Sequence, residues 1–112
     1  MERSEVLEML QADAREISDD ERAVAEHGQL SELLAICRLM NISVQRNVQK
    51  STPERLAEWL ENYDLSLYAS METFINLGML QMAERYSAAQ SGLWRAKRIC
   101  LPYLLSAGDE QR

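Results

Sequence analysis

Apolar residues recur along this chain at steps of three and four, the spacing that lines one face of an α-helix. Val6, Leu7, Leu10, Ala14 and Ile17 predict a first helix capped by Ser4. Ser18-Asp19-Asp20-Glu21 reads as a capping box and predicts the start of a second, with His27-Gly28 as an interruption. The pattern is stronger from Leu30 to Val48, where Leu30, Leu33, Leu34, Cys37, Met40, Val44 and Val48 share one face. Ser51-Thr52-Pro53-Glu54 ends that helix and opens another, because threonine caps well and proline suits the first helical position. Leu56, Trp59, Leu60 and Tyr63 form its apolar face, and Asn62-Tyr63-Asp64 reads as a corner.

Beyond that corner, Leu67, Met71, Phe74, Gly78, Met82 and Ala89 predict one long helix, flanked by Tyr68, Ile75, Met79 and Tyr86. Ser91-Gly92 should break or bend it, and a last helix from Leu93 to about Leu105 should kink at Pro102. A tail from about Gly108 is expected to fray. With no repeat, low-complexity segment or long linker, residues 1–112 make one domain: an all-α, compact bundle of about five helices.

Both strong helices carry more apolar surface than one core needs. On a wheel of 100° per residue, Leu33, Cys37, Met40 and Val44 cluster, while Ile36, Leu39 and Ile42 point to the sides and back. Leu77 and Leu80 fall on the otherwise polar side of the long helix, with Thr73, Glu84 and Ser87. A helix that is apolar nearly all round is either central to its bundle or covered by another chain. Ile36, Leu39, Ile42, Leu77 and Leu80 are therefore the candidate residues of a partner-binding or dimer interface. Met71, Met79 and Met82 add an adaptable lining that suits core filling or a partner groove.

Composition supports helices: 4 Gly and 2 Pro stand among abundant Leu, Ala, Glu, Met, Gln and Arg. No apolar run approaches a membrane span, and Met1-Glu2-Arg3-Ser4-Glu5 is too acidic for a signal peptide, so a cytoplasmic location is expected. The net charge of −6 is uneven, since ten acids but only Arg3, Arg15 and Arg22 lie in residues 1–32. Arg85, Arg95, Lys97 and Arg98 form a basic stretch able to receive that acidic segment, from this chain or a neighbour.

Candidate chemistry is sparse. His27 is the one histidine, and no nucleophile setting accompanies it. Cys37 and Cys100 have neither metal nor redox spacing, and the glycines stand singly, so no metal, cofactor or nucleotide is assigned. Carboxylate pairs such as Glu54 and Glu58, or Glu58 and Glu61, suit a solvated helix face better than acid–base work. Residues 56–76 have the outline of a helix-turn-helix, but no Lys or Arg lies between Arg55 and Arg85 to meet phosphate. No direct nucleic-acid contact is expected, Arg95, Lys97 and Arg98 being the residues that would make one. An enzyme is the class least expected.

The stretch Pro53-Glu54-Arg55-Leu56-Ala57-Glu58-Trp59-Leu60-Glu61-Asn62-Tyr63-Asp64, continuing into Ser70-Met71-Glu72-Thr73-Phe74, resembles the QslA family of small quorum-sensing antiactivators. The resemblance lies in this stretch and in size, acidity and helical layout, and leaves out the first 30 residues. It implies a homodimeric helical protein without catalysis, which binds the ligand-binding domain of a LuxR-type transcription activator such as LasR and blocks its dimerisation. A different class, a secretion or assembly chaperone holding a client through its Met-rich helices, is the alternative.

Overall fold

The computed structural model describes residues 1–110, with side chains as far as Ser106. All regular structure among them is helical, in four elements: α1 (Arg3–Ala23), α2 (Gly28–Lys50), α3 (Pro53–Asn76) and α4 (Leu80–Glu110). The expected tail from Gly108 runs into residues 111–112, which lie outside the described residues.

Four helices replace the expected five because three local signals are overridden by packing. At Ser18-Asp19-Asp20-Glu21 the chain stays helical: Ile17 is buried in α1, and the Glu21 carboxylate accepts from Arg38 Nε at 2.5 Å. The first cap is Glu2 rather than Ser4, and its amide donates to Glu5 Oε1 at 3.4 Å. At Asn62-Tyr63-Asp64 no corner forms. There α3 runs straight on, because Leu60 and Leu67 both reach the core and Asp64 accepts hydrogen bonds from α4.

The long helix expected across Gly78 instead breaks there. Leu77 caps α3, Gly78 takes φ +74°, its amide donates to Ile75 O at 3.0 Å and that of Met79 to Phe74 O at 2.8 Å. This is a Schellman turn, whose left-handed residue is glycine because a Cβ is penalised in that conformation. Conversely, Ser91-Gly92 does not interrupt α4. Pro102 lies inside α4, where Ser106 Oγ donates to the Pro102 carbonyl at 2.8 Å. Elsewhere the expected punctuation holds: Thr52 Oγ1 accepts from the Arg55 amide at 3.2 Å with Pro53 in the first turn, and α2 starts at Gly28.

Pairings between elements define the topology. Leu10–Asn41 and Glu21–Arg38 run α1 antiparallel to α2, while Asp64–Trp94 and Phe74–Tyr86 run α3 antiparallel to α4. Gln29–Glu84, Glu32–Arg85 and Cys37–Ala88 make α2 and α4 parallel neighbours. The order across the molecule is α1, α2, α4, α3, with α1 also touching α4, and α3 barely meeting α2. At the α2–α4 crossing, a Cβ on Gly92 would stand 2.7 Å from Cys37 Cα and 2.8 Å from its carbonyl oxygen. Ala88, Gly92 and Ala96 recur every fourth residue, and this row of small side chains lets the two backbones approach.

The core gathers Val6 and Leu10 of α1, Met40, Val44 and Val48 of α2, Leu56, Leu60 and Leu67 of α3, and Leu93, Ala96 and Cys100 of α4. Asn41 is fully buried among them and fully used. Its amide nitrogen donates to Leu10 O at 3.1 Å and Asp13 Oδ2 at 3.3 Å, and its oxygen accepts from Gln45 at 2.7 Å.

The resulting body is a slab of 48 × 32 × 18 Å with a radius of gyration of 15.2 Å. A chain of this length packed as evenly as most domains would have about 13 Å. Its accessible surface is 7138 Å², against roughly 6,300 Å² for a typical monomer of this mass. No helix among the described residues is long and apolar enough to cross a membrane.

Candidate functional site

Leu77 lies on the turn between α3 and α4 and Leu80 is the first residue of α4, each 65% exposed. Ile75 and Met79, read in the sequence as flanks of a core stripe, join them at 49% and 47%. The turn explains the exposure: Leu77 and Met79 flank a glycine in left-handed geometry and belong to neither helix, so no stripe turns them inward. They form an apolar corner at the end of the slab where α2 also begins. Nothing lies within 4 Å of the position a Cβ would take on Gly78, so the corner's apex is open.

The other candidates sit elsewhere. Leu39 is 55% exposed on the outward side of α2. It is about 16 Å along that helix from its start, at 1.5 Å per residue. Ile42 is half-buried on the same helix, and Ile36 is half-buried and packs against the core cluster. The five residues therefore divide, with Leu77 and Leu80 on the corner, Leu39 and Ile42 on the side of α2, and Ile36 against the core. Tyr68 on α3, another of the flanks, is exposed as well, and exposed apolar residues that periodicity did not single out include Leu65 on α3, and Trp94, Leu101 and Leu105 on α4. Trp94 Nε1 donates to Asp64 Oδ1 at 2.8 Å, and Gln90 Nε2 donates to the same oxygen at 2.9 Å.

The charge asymmetry of the sequence resolves largely within the chain. Arg95 meets Asp13 at 2.7 Å and Glu16 at 3.6 Å on α1, and Arg85 meets Glu32 at 2.9 Å. Such exposed pairs contribute little stability, at most about 1 kcal/mol each, so their effect is to orient α1 and to give Arg85 and Arg95 acidic partners within the chain. His27 is exposed and caps α2 through its backbone. Among the described residues, no group of three His, Cys, Asp or Glu is placed to hold a metal ion.

Both cysteines are free thiols. Cys37 sits at the α2–α4 crossing with its Sγ 3.1 Å from the Ala88 carbonyl, and burial pushes its pKa up despite Arg95 nearby. Burial pushes Cys100 further, from 9.0 to about 11. The unfolded thiol therefore loses its proton first as pH rises, so the unfolded state binds fewer protons than the native one between those values. Stability is expected to fall from pH 9 through about 11, by roughly 2–3 kcal/mol from this group. Denaturant melts across that range should show the slope, and Cys100→Ala should flatten it; an equal slope in the variant would place the titrating group elsewhere.

Set against known protein families, curated proteins and solved structures, the chain matches none of them.

Proposed function

We propose that this chain is a non-enzymatic regulatory protein that acts as a homodimer and sequesters a transcription activator by covering its dimer-forming surface. The observation that carries the reading is the apolar surface left uncovered by a slab only 18 Å thick: Leu39 along α2, with half-buried Ile42 on the same helix, and Leu77 and Leu80 at the corner. Large apolar patches on a folded chain mark sites of protein contact. The partner chemistry that fits is a helical, apolar, self-complementary face. The dimerisation surface of a LuxR-type activator such as LasR is of that kind, and an apolar helix side in its place blocks the activator's own pairing.

The test is a mixture of the purified chain with the ligand-binding domain of a LuxR-type activator. A complex is expected at micromolar concentration, together with loss of the activator's dimer. Leu39→Glu should weaken it at least tenfold, since burying one such side chain contributes about 1.5–3 kcal/mol. Absence of any complex at that concentration would remove the activator as partner.

A further inference from the structure

We propose that the α3–α4 corner is the surface through which two copies of this chain join, leaving the outward side of α2 to the foreign partner. This rests on the reading of the chain as a dimeric binding protein and assigns its two apolar surfaces to different occupants.

Charge selects the occupant of the corner. Two copies of a chain with net charge −6 repel one another, so a self-contact is favoured where each copy contributes no charge of its own. Between Glu72 and Glu84 there is no ionisable residue, the longest such interval in the sequence, and the corner lies in its middle. The outward side of α2 is different, because Arg46 follows Leu39 and Ile42 on that helix and is exposed.

Area points the same way. A standard interface takes roughly 800 Å² from each partner. Exposed side-chain area of Ile75, Leu77, Met79 and Leu80 supplies on the order of half of that, as a contiguous apolar centre with polar Asn76 and Gln81 beside it.

Rigidity adds to both. The Schellman turn fixes Leu77 and Met79 by two backbone hydrogen bonds, so little conformational freedom is lost when a second copy arrives. Open space over Gly78 lets that copy come close. A contact of one corner with the same corner closes on a two-fold axis and stops at two chains.

Light scattering on the full chain tests this, with Leu77→Glu/Leu80→Glu and Leu39→Glu beside the wild type. The wild type should have twice the 12.9 kDa mass of one chain at tens of micromolar. The corner variant should dissociate at least 100-fold more readily while keeping its helical circular dichroism, and Leu39→Glu should remain dimeric. Leu77→Ser/Leu80→Ser gives the same readout should the glutamates unfold the chain. A monomeric wild type, a corner variant that stays dimeric, or dissociation by Leu39→Glu would each overturn the assignment. A monomer that still binds the activator domain sinks this inference alone, whereas an intact dimer that binds no activator sinks the functional reading alone.

Discussion

Gly92→Ala is expected to lower the unfolding free energy by about 2 kcal/mol, and Gly92→Leu to prevent folding. By helix propensity alone, alanine should stabilise α4 by nearly 1 kcal/mol. The packing argument has the opposite sign and is larger: the new Cβ would sit 2.7 Å from Cys37 Cα and 2.8 Å from its carbonyl oxygen. Those are backbone atoms inside α2, so no side chain can swing aside and the two helices must part. Overpacking of this kind costs about 1–3 kcal/mol, and occasionally more. Urea melts of the two proteins decide it. An alanine variant as stable as the wild type would mean that α2 can retreat from α4 without loss.

Leu93→Ala should cost about 3–4 kcal/mol, a large share of the roughly 5–15 kcal/mol that holds a domain of this size. Leu93 is fully buried at the middle of α4, the helix against which α2 and α3 both pack, so the vacated space borders several elements and cannot close by moving one. Leu65→Ala on the exposed side of α3 serves as the comparison, with an expected change within about 0.5 kcal/mol. A Leu93→Ala loss no greater than that would place the centre of the core elsewhere.

The two central glycines show what the sequence makes legible and what it does not. Gly78 and Gly92 both fall within strongly periodic stretches, and local rules charge each the same propensity cost. Their roles are opposite: Gly78 ends a helix through its positive φ, while Gly92 continues one and is needed for what α2 places against it. The periodicity misleads at Gly78 because α3 and α4 turn their apolar faces toward each other, so the stripe keeps its phase across the turn. Likewise Asn62-Tyr63-Asp64 looks like a corner only until Asp64 is seen to accept from Gln90 and Trp94, a pairing across the helix interface that no local window contains. By contrast α2 and the Thr52-Pro53 start of α3 were readable, because stripe, cap and first turn are all local.

The candidate site divides in the same way. Periodicity alone found the apolar excess, and it placed Leu39, Leu77 and Leu80 on outward positions. It could not show that Leu77 sits on a rigid turn and Leu80 at the start of a new helix, or that Ile75 and Met79 stand with them. Asn41 passed unnoticed within the apolar run of α2. It lies about 100° around the wheel from Met40, toward α1, and its burial depends on the Leu10 carbonyl that α1 supplies.

The parallel pairing of α2 and α4 has an electrostatic consequence. Two helices running the same way bring both N-termini to one end of the slab, and each carries about half a positive charge from its aligned peptide dipoles. Side by side, those partial charges repel. Glu32 and Glu84 stand just beyond the first turns of α2 and α4, Glu32 paired with Arg85 and Glu84 hydrogen-bonded by Gln29, and these cross-links tie the two aligned helix starts together. The same end receives the C-termini of α1 and α3, whose dipoles present the opposite sign. Alternation of helix direction thus leaves the slab's two ends nearly neutral in dipole, although α2 and α4 are aligned side by side.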